Sequence, residues 1–115
     1  MAQSNIKQRQ AGDVVILDLD GEVRIGDSAT ALRGAIRELV AAGNTKLLLN
    51  LGGVRYVDSS GIGELIANYT TVGRSGGQLK LLNLTDKVQD LLVITKLLTV
   101  FDVYEAEPEA LSSFK

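Results

Sequence analysis

Three short apolar runs separated by segments of helical periodicity set the tightest limit on this chain. They are VVILDLDG (residues 14–21), KLLLNL (46–51) and QLKLLNL (78–84). The first is rich in β-branched residues and ends in turn chemistry, as a strand does. The second is almost continuously apolar, which predicts a strand covered on both faces. Between them, Leu32, Ile36, Leu39 and Val40 recur at helical spacing with Arg33, Arg37 and Glu38 outside; Gly26-Asp27-Ser28 offers a cap and Gly43-Asn44 a stop. Ile62, Leu65, Ile66, Tyr69 and Val72 mark a second helix from about Ser60 to Arg74, ended by Ser75-Gly76-Gly77. Thr85-Asp86 begins a third helix through Val88, Leu91, Leu92 and Thr95, with Gln89 placed like a capping-box partner of Asp86.

A weaker strand over 5–10 pairs with the first run through the Ala11-Gly12-Asp13 turn, and a short strand over 100–106 closes the series. Pro108 starts one or two final helical turns over 109–114. Strands and helices that alternate through short loops imply right-handed parallel crossovers, hence an α/β sheet. Three modest helices cover one face of such a sheet thoroughly or two faces thinly. With 115 residues the chain is expected to form a single domain, 1–115.

Composition narrows the chemistry. There is no cysteine and no histidine, which removes disulfides, the usual zinc ligand sets, cysteine nucleophiles and any triad with an imidazole base. A formal net charge of −2 gives no basic footprint for nucleic acid or an anionic membrane. The polar opening MAQSNIKQRQ has no apolar h-region, and no apolar run reaches the ~18 residues of a membrane span. A cytoplasmic protein that needs neither cofactor nor metal, and inserts in no membrane, is expected.

The second helix starts oddly. VDSSGIGELI (57–66) puts Gly61 and Gly63 in its first turns, although each glycine costs about 1 kcal/mol against alanine in a helix interior. In an α/β sheet, sites gather where strands end and helices begin. Four readings fit Asp58, Ser59, Ser60, Gly61 and Gly63. The serines and aspartate cap the helix while the glycines allow close packing. A serine acts as nucleophile, although G-x-S-x-G and S-x-x-K are both absent. The glycines line a nucleotide loop, although Gly61-x-Gly63 is only a fragment of the dinucleotide fingerprint. Or a serine accepts a phosphate, whose added charge of about −1.5 to −2 faces the positive end of the helix dipole.

The run LGGVRYVDSSGIGELI (51–66) closely resembles the signature of STAS domains, and more narrowly that of bacterial anti-sigma factor antagonists: apolar strand, short turn, D-[ST]-S-G-[LIV]-G, apolar helix. Leu17-x-Leu19-x-Gly21-Glu22, Gly76-Gly77-x-Leu79-x-Leu81 and Val88-x-x-Leu91-Leu92 with Phe101 resemble further family elements, so the likeness spans residues 5–107. It implies a single small domain with a four- to five-stranded, mostly parallel sheet flanked by about four helices. It also implies a protein-interaction module rather than an enzyme.

In that family the serine after the aspartate is phosphorylated by a partner that is both anti-sigma factor and serine kinase, and a PP2C-type phosphatase restores it. That position is Ser59. The unphosphorylated form holds the kinase and frees the sigma factor. Asp58, Ser60 and Gly61 then shape the loop, and Glu64, Asn68 and Thr71, taken as the outer face of the helix, form the contact surface. Two positions depart from the family pattern. Arg24 stands where an acidic residue is usual and pairs with a phosphate on Ser59 or marks another partner; Thr95-Lys96-Leu97 replaces Thr-Gly-Leu. Related STAS domains also serve as stressosome subunits, transporter regulators and parts of lipid-trafficking complexes, so an unswitched scaffold, like a purine-nucleotide binder, is an alternative.

Overall fold

The computed structural model describes residues 5–23 and 27–114. Five strands form one sheet in the order β1-β2-β3-β4-β5. β1 (Asn5–Ala11) and β2 (Val14–Val23) pair antiparallel through the two-residue turn Gly12-Asp13, where Gly12 takes φ 63°. From β2 onward every pairing is parallel: β3 (Lys46–Val57), β4 (Gln78–Leu82) and β5 (Val103–Tyr104). The crossovers are α1 (Asp27–Ala41), α2 (Ser59–Arg74) and α3 (Asp86–Ile94), and α4 (Glu107–Ser113) follows β5.

Each crossover steps one strand in the same direction, so connections of one hand lay all three helices on one face. The packing shows this. Val15, Leu17, Leu19, Leu47, Leu49, Leu51, Leu79 and Leu81 cluster with Leu32, Ile36, Leu65, Val72, Val88 and Leu92 of the three helices. The alternate residues Val14, Ile16, Leu48 and Leu82 cluster instead with Ala110 and Phe114 of α4. Thus β2, β3 and β4 are covered on both faces, which suits the nearly continuous apolar run at the start of β3.

α4 is held down by a buried cation. Lys80, on the α4 face of β4, donates from Nζ to the Ser113 carbonyl at 3.0 Å and the Ser113 hydroxyl at 2.9 Å. Its ammonium also lies 5.0 Å from the Phe114 ring centre and 5.6 Å from that of Tyr104.

Several boundaries differ from expectation. β3 does not stop at Leu51 but runs to Val57, because Gly52 and Gly53 continue the strand instead of turning it. β5 is only two residues long, and Phe101, ahead of it, is buried in the main core. Thr85, not Asp86, caps α3 by accepting from the Val88 amide, so Gln89 is one place too late for a capping box. Lys96 adopts φ 61°, so this chain places a lysine in the left-handed position that ends α3. The cap expected at Gly26-Asp27-Ser28 and the residue Arg24 lie outside the described residues and side chains.

Candidate functional site

α2 begins directly after the C-terminal end of β3. Asp58 is its N-cap, in extended conformation (φ −91°, ψ −179°), and its Oδ1 accepts the Gly61 amide at 2.7 Å. The Asp58 carbonyl accepts the first helical hydrogen bond, from the Ile62 amide at 3.0 Å. Ser59 and Ser60 are therefore the first two helical residues, not the cap. Asp58 thus supplies a side-chain acceptor for the cap from the residue just ahead of both serines.

Gly61 is buried and Gly63 exposed. A β-carbon built on Gly63 would have no neighbour within 4 Å, so close packing is not what this glycine provides. It leaves smooth backbone beside the helix start.

The contact surface expected from the sequence needs correction. Glu64 and Asn68 are only 7% and 2% exposed, and Thr71 is half-buried, donating its hydroxyl to the Ala67 carbonyl at 3.0 Å. These side chains do not form an outer face. The buried stripe is Gly61, Ile62, Glu64, Leu65, Asn68 and Val72, whereas Tyr69 reaches the surface and meets Phe101 edge-on at 5.2 Å. At 3.6 residues per turn the stripe is rotated by roughly 60° from the apolar one. A cross-helix ion pair accounts for the burial of Glu64. Arg33 of α1 donates from Nε and Nη2 to the two Glu64 oxygens, at 2.8 and 2.7 Å. This fork turns a polar edge of α2 toward α1.

The fork also holds the Glu64 carboxyl below its ordinary range, mainly through the Arg33 hydrogen bonds, against an opposing effect of burial; the charges of Arg33 and Arg37 add to the lowering. Among the described side chains of α2, Gly63, Ala67, Tyr69, Thr70, Gly73 and Arg74 are exposed, and Gly63, Ala67, Thr70 and Arg74 continue one row along the helix from position 59.

The arm that carries the helix start rests on a second polar group that sequence reading missed. Asn50 donates from Nδ2 to Asp18 Oδ1 at 2.8 Å, and its Oδ1 accepts the Gly52 amide at 3.1 Å. Asp18 in turn is bound by Arg9 (Nη2 to Oδ1, 3.0 Å), which also reaches Glu107 of α4 at 2.8 Å. The Arg9 guanidinium, chiefly, lowers the Asp18 carboxyl from its ordinary range, and the Asn50 amide adds to this. Only the interruption of KLLLNL by an asparagine signalled this group. Among the described residues no cluster of three or more acidic side chains stands where it could hold a metal ion, and no helix is long and apolar enough to cross a membrane.

The model of the STAS domain family matches residues 5–110. The chain belongs to the STAS family. The anti-sigma-B factor antagonist of Bacillus subtilis is 31% identical over 99 residues, 86% of this chain and 89% of that protein. The crystal structure of a putative anti-sigma factor antagonist from Thermotoga maritima superposes with a TM-score of 0.84 at 26% identity, covering 95% of this chain and 93% of that one. The phosphorylated form of the Bacillus cell fate determinant SpoIIAA shares the fold, with a TM-score of 0.74 at 20% identity over 94% of this chain and 97% of that one. In this STAS domain the D-S-S-G run thus occupies the start of α2, at the C-terminal end of the central strand.

Proposed function

We propose that this STAS domain is an anti-sigma factor antagonist whose hold on its partner is switched by phosphorylation of Ser59. The observation that carries the reading is the Asp58 carboxylate on the Gly61 amide. It caps the helix from the preceding residue and so sets Ser59 at the first helical position, at the positive end of the helix dipole. Similarity to the Bacillus subtilis anti-sigma-B factor antagonist supports the class of partner.

The partner is an anti-sigma factor with serine kinase activity. The Ser59 hydroxyl oxygen attacks the γ-phosphorus of ATP held by that partner. The bond from the γ-phosphorus to the β,γ-bridging oxygen breaks, ADP leaves, and the hydroxyl proton passes to a base of the kinase. A PP2C-type phosphatase reverses the mark by hydrolysis, releasing inorganic phosphate. This chain is the substrate in both steps and not the catalyst.

A phosphate at the first helical position sits at the end that carries about half a positive charge, so the helix tolerates it. It also sits beside Asp58, where two unit charges about 6 Å apart repel by about 3 kcal/mol at an effective dielectric near 20. The mark therefore alters what docks more than it alters the fold. The docking face in this reading is the outward row of Gly63, Ala67 and Thr70, with Asp58, Ser60 and Gly61 shaping its end. Arg24 is a cation for the phosphate or a determinant of partner choice.

Incubation with candidate anti-sigma kinases and ATP, followed by intact mass, tests the switch. One added phosphate that disappears in Ser59→Ala, with Ser59→Asp losing affinity for the same kinase, is the expected result. Equal binding of wild type and Ser59→Asp by every candidate would sink it and favour an unswitched scaffold.

A further inference from the structure

We infer that Asn50 is a positioning residue: its amide sets where the far half of β3, and with it the first turn of α2, stands relative to the sheet. The inference deepens the reading of Ser59 as acceptor and names the group that holds the acceptor's arm in place.

β3 pairs with β4 only as far as Asn50, opposite Leu82, where β4 ends. Among the described residues, the strand from Leu51 to Val57 has β2 alone as a ladder neighbour. The register slips twice along this stretch: between Asp18↔Asn50 and Asp20↔Gly53, and again between Gly21↔Val54 and Glu22↔Tyr56. Each slip puts an extra residue into β3, and each such bulge bends and re-aims a strand. An arm supported on one side and bulged twice has no fixed direction from its ladder alone.

Asn50 stands at the root of that arm and ties it to both neighbours. Its Nδ2 holds Asp18 on β2, and its Oδ1 takes the Gly52 amide one residue into the bulge. The Asn83 amide, at the end of β4, approaches the same Oδ1 at 3.5 Å, and Asn83 itself is held at φ 57°. The two glycines that follow are needed for this closeness. A β-carbon on Gly52 would come within 3.3 Å of Asn50 Oδ1 and of Asn83 Cβ, and one on Gly53 within 3.0 Å of the Leu19 carbonyl and of Asp20 Oδ1. The Asn50 amide thus links β2, the bulge and the end of β4, eight residues before the Asp58 cap. Behind Asp18, Arg9 and Glu107 extend the same chain of contacts to α4.

The test is a swap of the two partners. Asn50→Asp keeps the acceptor for Gly52 but sets a carboxylate against that of Asp18. The Asp18→Asn, Asn50→Asp pair restores donor and acceptor with their roles exchanged. Hydrogen exchange followed by mass spectrometry is read on peptides covering 51–62 and, as controls, on β1 and α3. Loss of one charge-assisted hydrogen bond predicts roughly tenfold faster exchange in 51–62 for Asn50→Asp, unchanged controls, and recovery in the double variant.

The rate of phosphate incorporation at Ser59 falls and recovers in parallel. Faster exchange everywhere, or no recovery in the double variant, marks Asn50 as a merely structural residue and overturns the inference; so does unchanged exchange in 51–62. A wild-type chain that no anti-sigma kinase modifies overturns the acceptor reading instead, and the exchange pattern still decides the role of Asn50.

Discussion

Glycine to alanine has opposite consequences at two positions of this chain, and the contrast tests the placement of α2. Gly63 is the fifth residue of the helix and exposed, and an added β-carbon meets nothing within 4 Å. Alanine there is better than glycine by about 0.8 kcal/mol, the difference in helix propensity. Unfolding entropy of roughly 2.1 cal/mol/K per residue over 115 residues is about 0.24 kcal/mol/K, so Gly63→Ala raises Tm by about 3 °C.

Gly77, between α2 and β4, is the counterpart. A β-carbon there collides with the Thr45 carbonyl oxygen and comes within 2.9 Å of Thr45 Cβ and 3.0 Å of Val72 Cγ1. Two of those atoms are backbone or bound next to it and yield little, so Gly77→Ala costs about 1–3 kcal/mol, as overpacking does. Its Tm falls by roughly 4–12 °C on the same conversion. Thermal unfolding followed by far-UV circular dichroism, with urea midpoints as a check on two-state behaviour, measures both. A Gly63→Ala protein less stable than wild type would mean that the supposedly open face of α2 is packed, and the site geometry would be wrong. If that face docks a partner, the same methyl weakens binding while it stabilises the free protein.

Asp58→Ala removes the helix cap and lowers stability by about 1 kcal/mol in chemical denaturation, with Asp58→Asn recovering most of the loss. Stability also has a defined acid limb. Glu64 and Asp18 both have folded values depressed by arginine below their ordinary 4.5 and 3.8, so they stabilise the fold fully above those values, and that contribution is lost as pH falls through the lower folded ones. Urea midpoints are therefore flat above about pH 5 and fall below it, and Glu64→Gln shows a shallower fall. Lys80→Met removes two hydrogen bonds from a buried ammonium to Ser113 and costs about 2 kcal/mol; limited proteolysis then cuts first near α4.

What the sequence by itself determined was local. The apolar runs and the 3.6-residue periodicity set the order of strands and helices, because period and turn residues are written into neighbouring positions. The start of α2 was marked by Asp58-Ser59-Ser60-Gly61, since capping needs only a side chain and an amide three residues away. Only tertiary structure decided that α1, α2 and α3 share one face while α4 takes the other, a consequence of strand order. Only it turned Glu64 inward, because Arg33, the partner of that carboxylate, lies 31 residues away along the chain and no helical repeat encodes that distance. Pairing with β2 likewise drew Gly52 and Gly53 into β3: two glycines read alone suggest a turn, and become strand where a β-carbon would be crowded, by the Asn50 and Asn83 side chains at Gly52 and by β2 at Gly53.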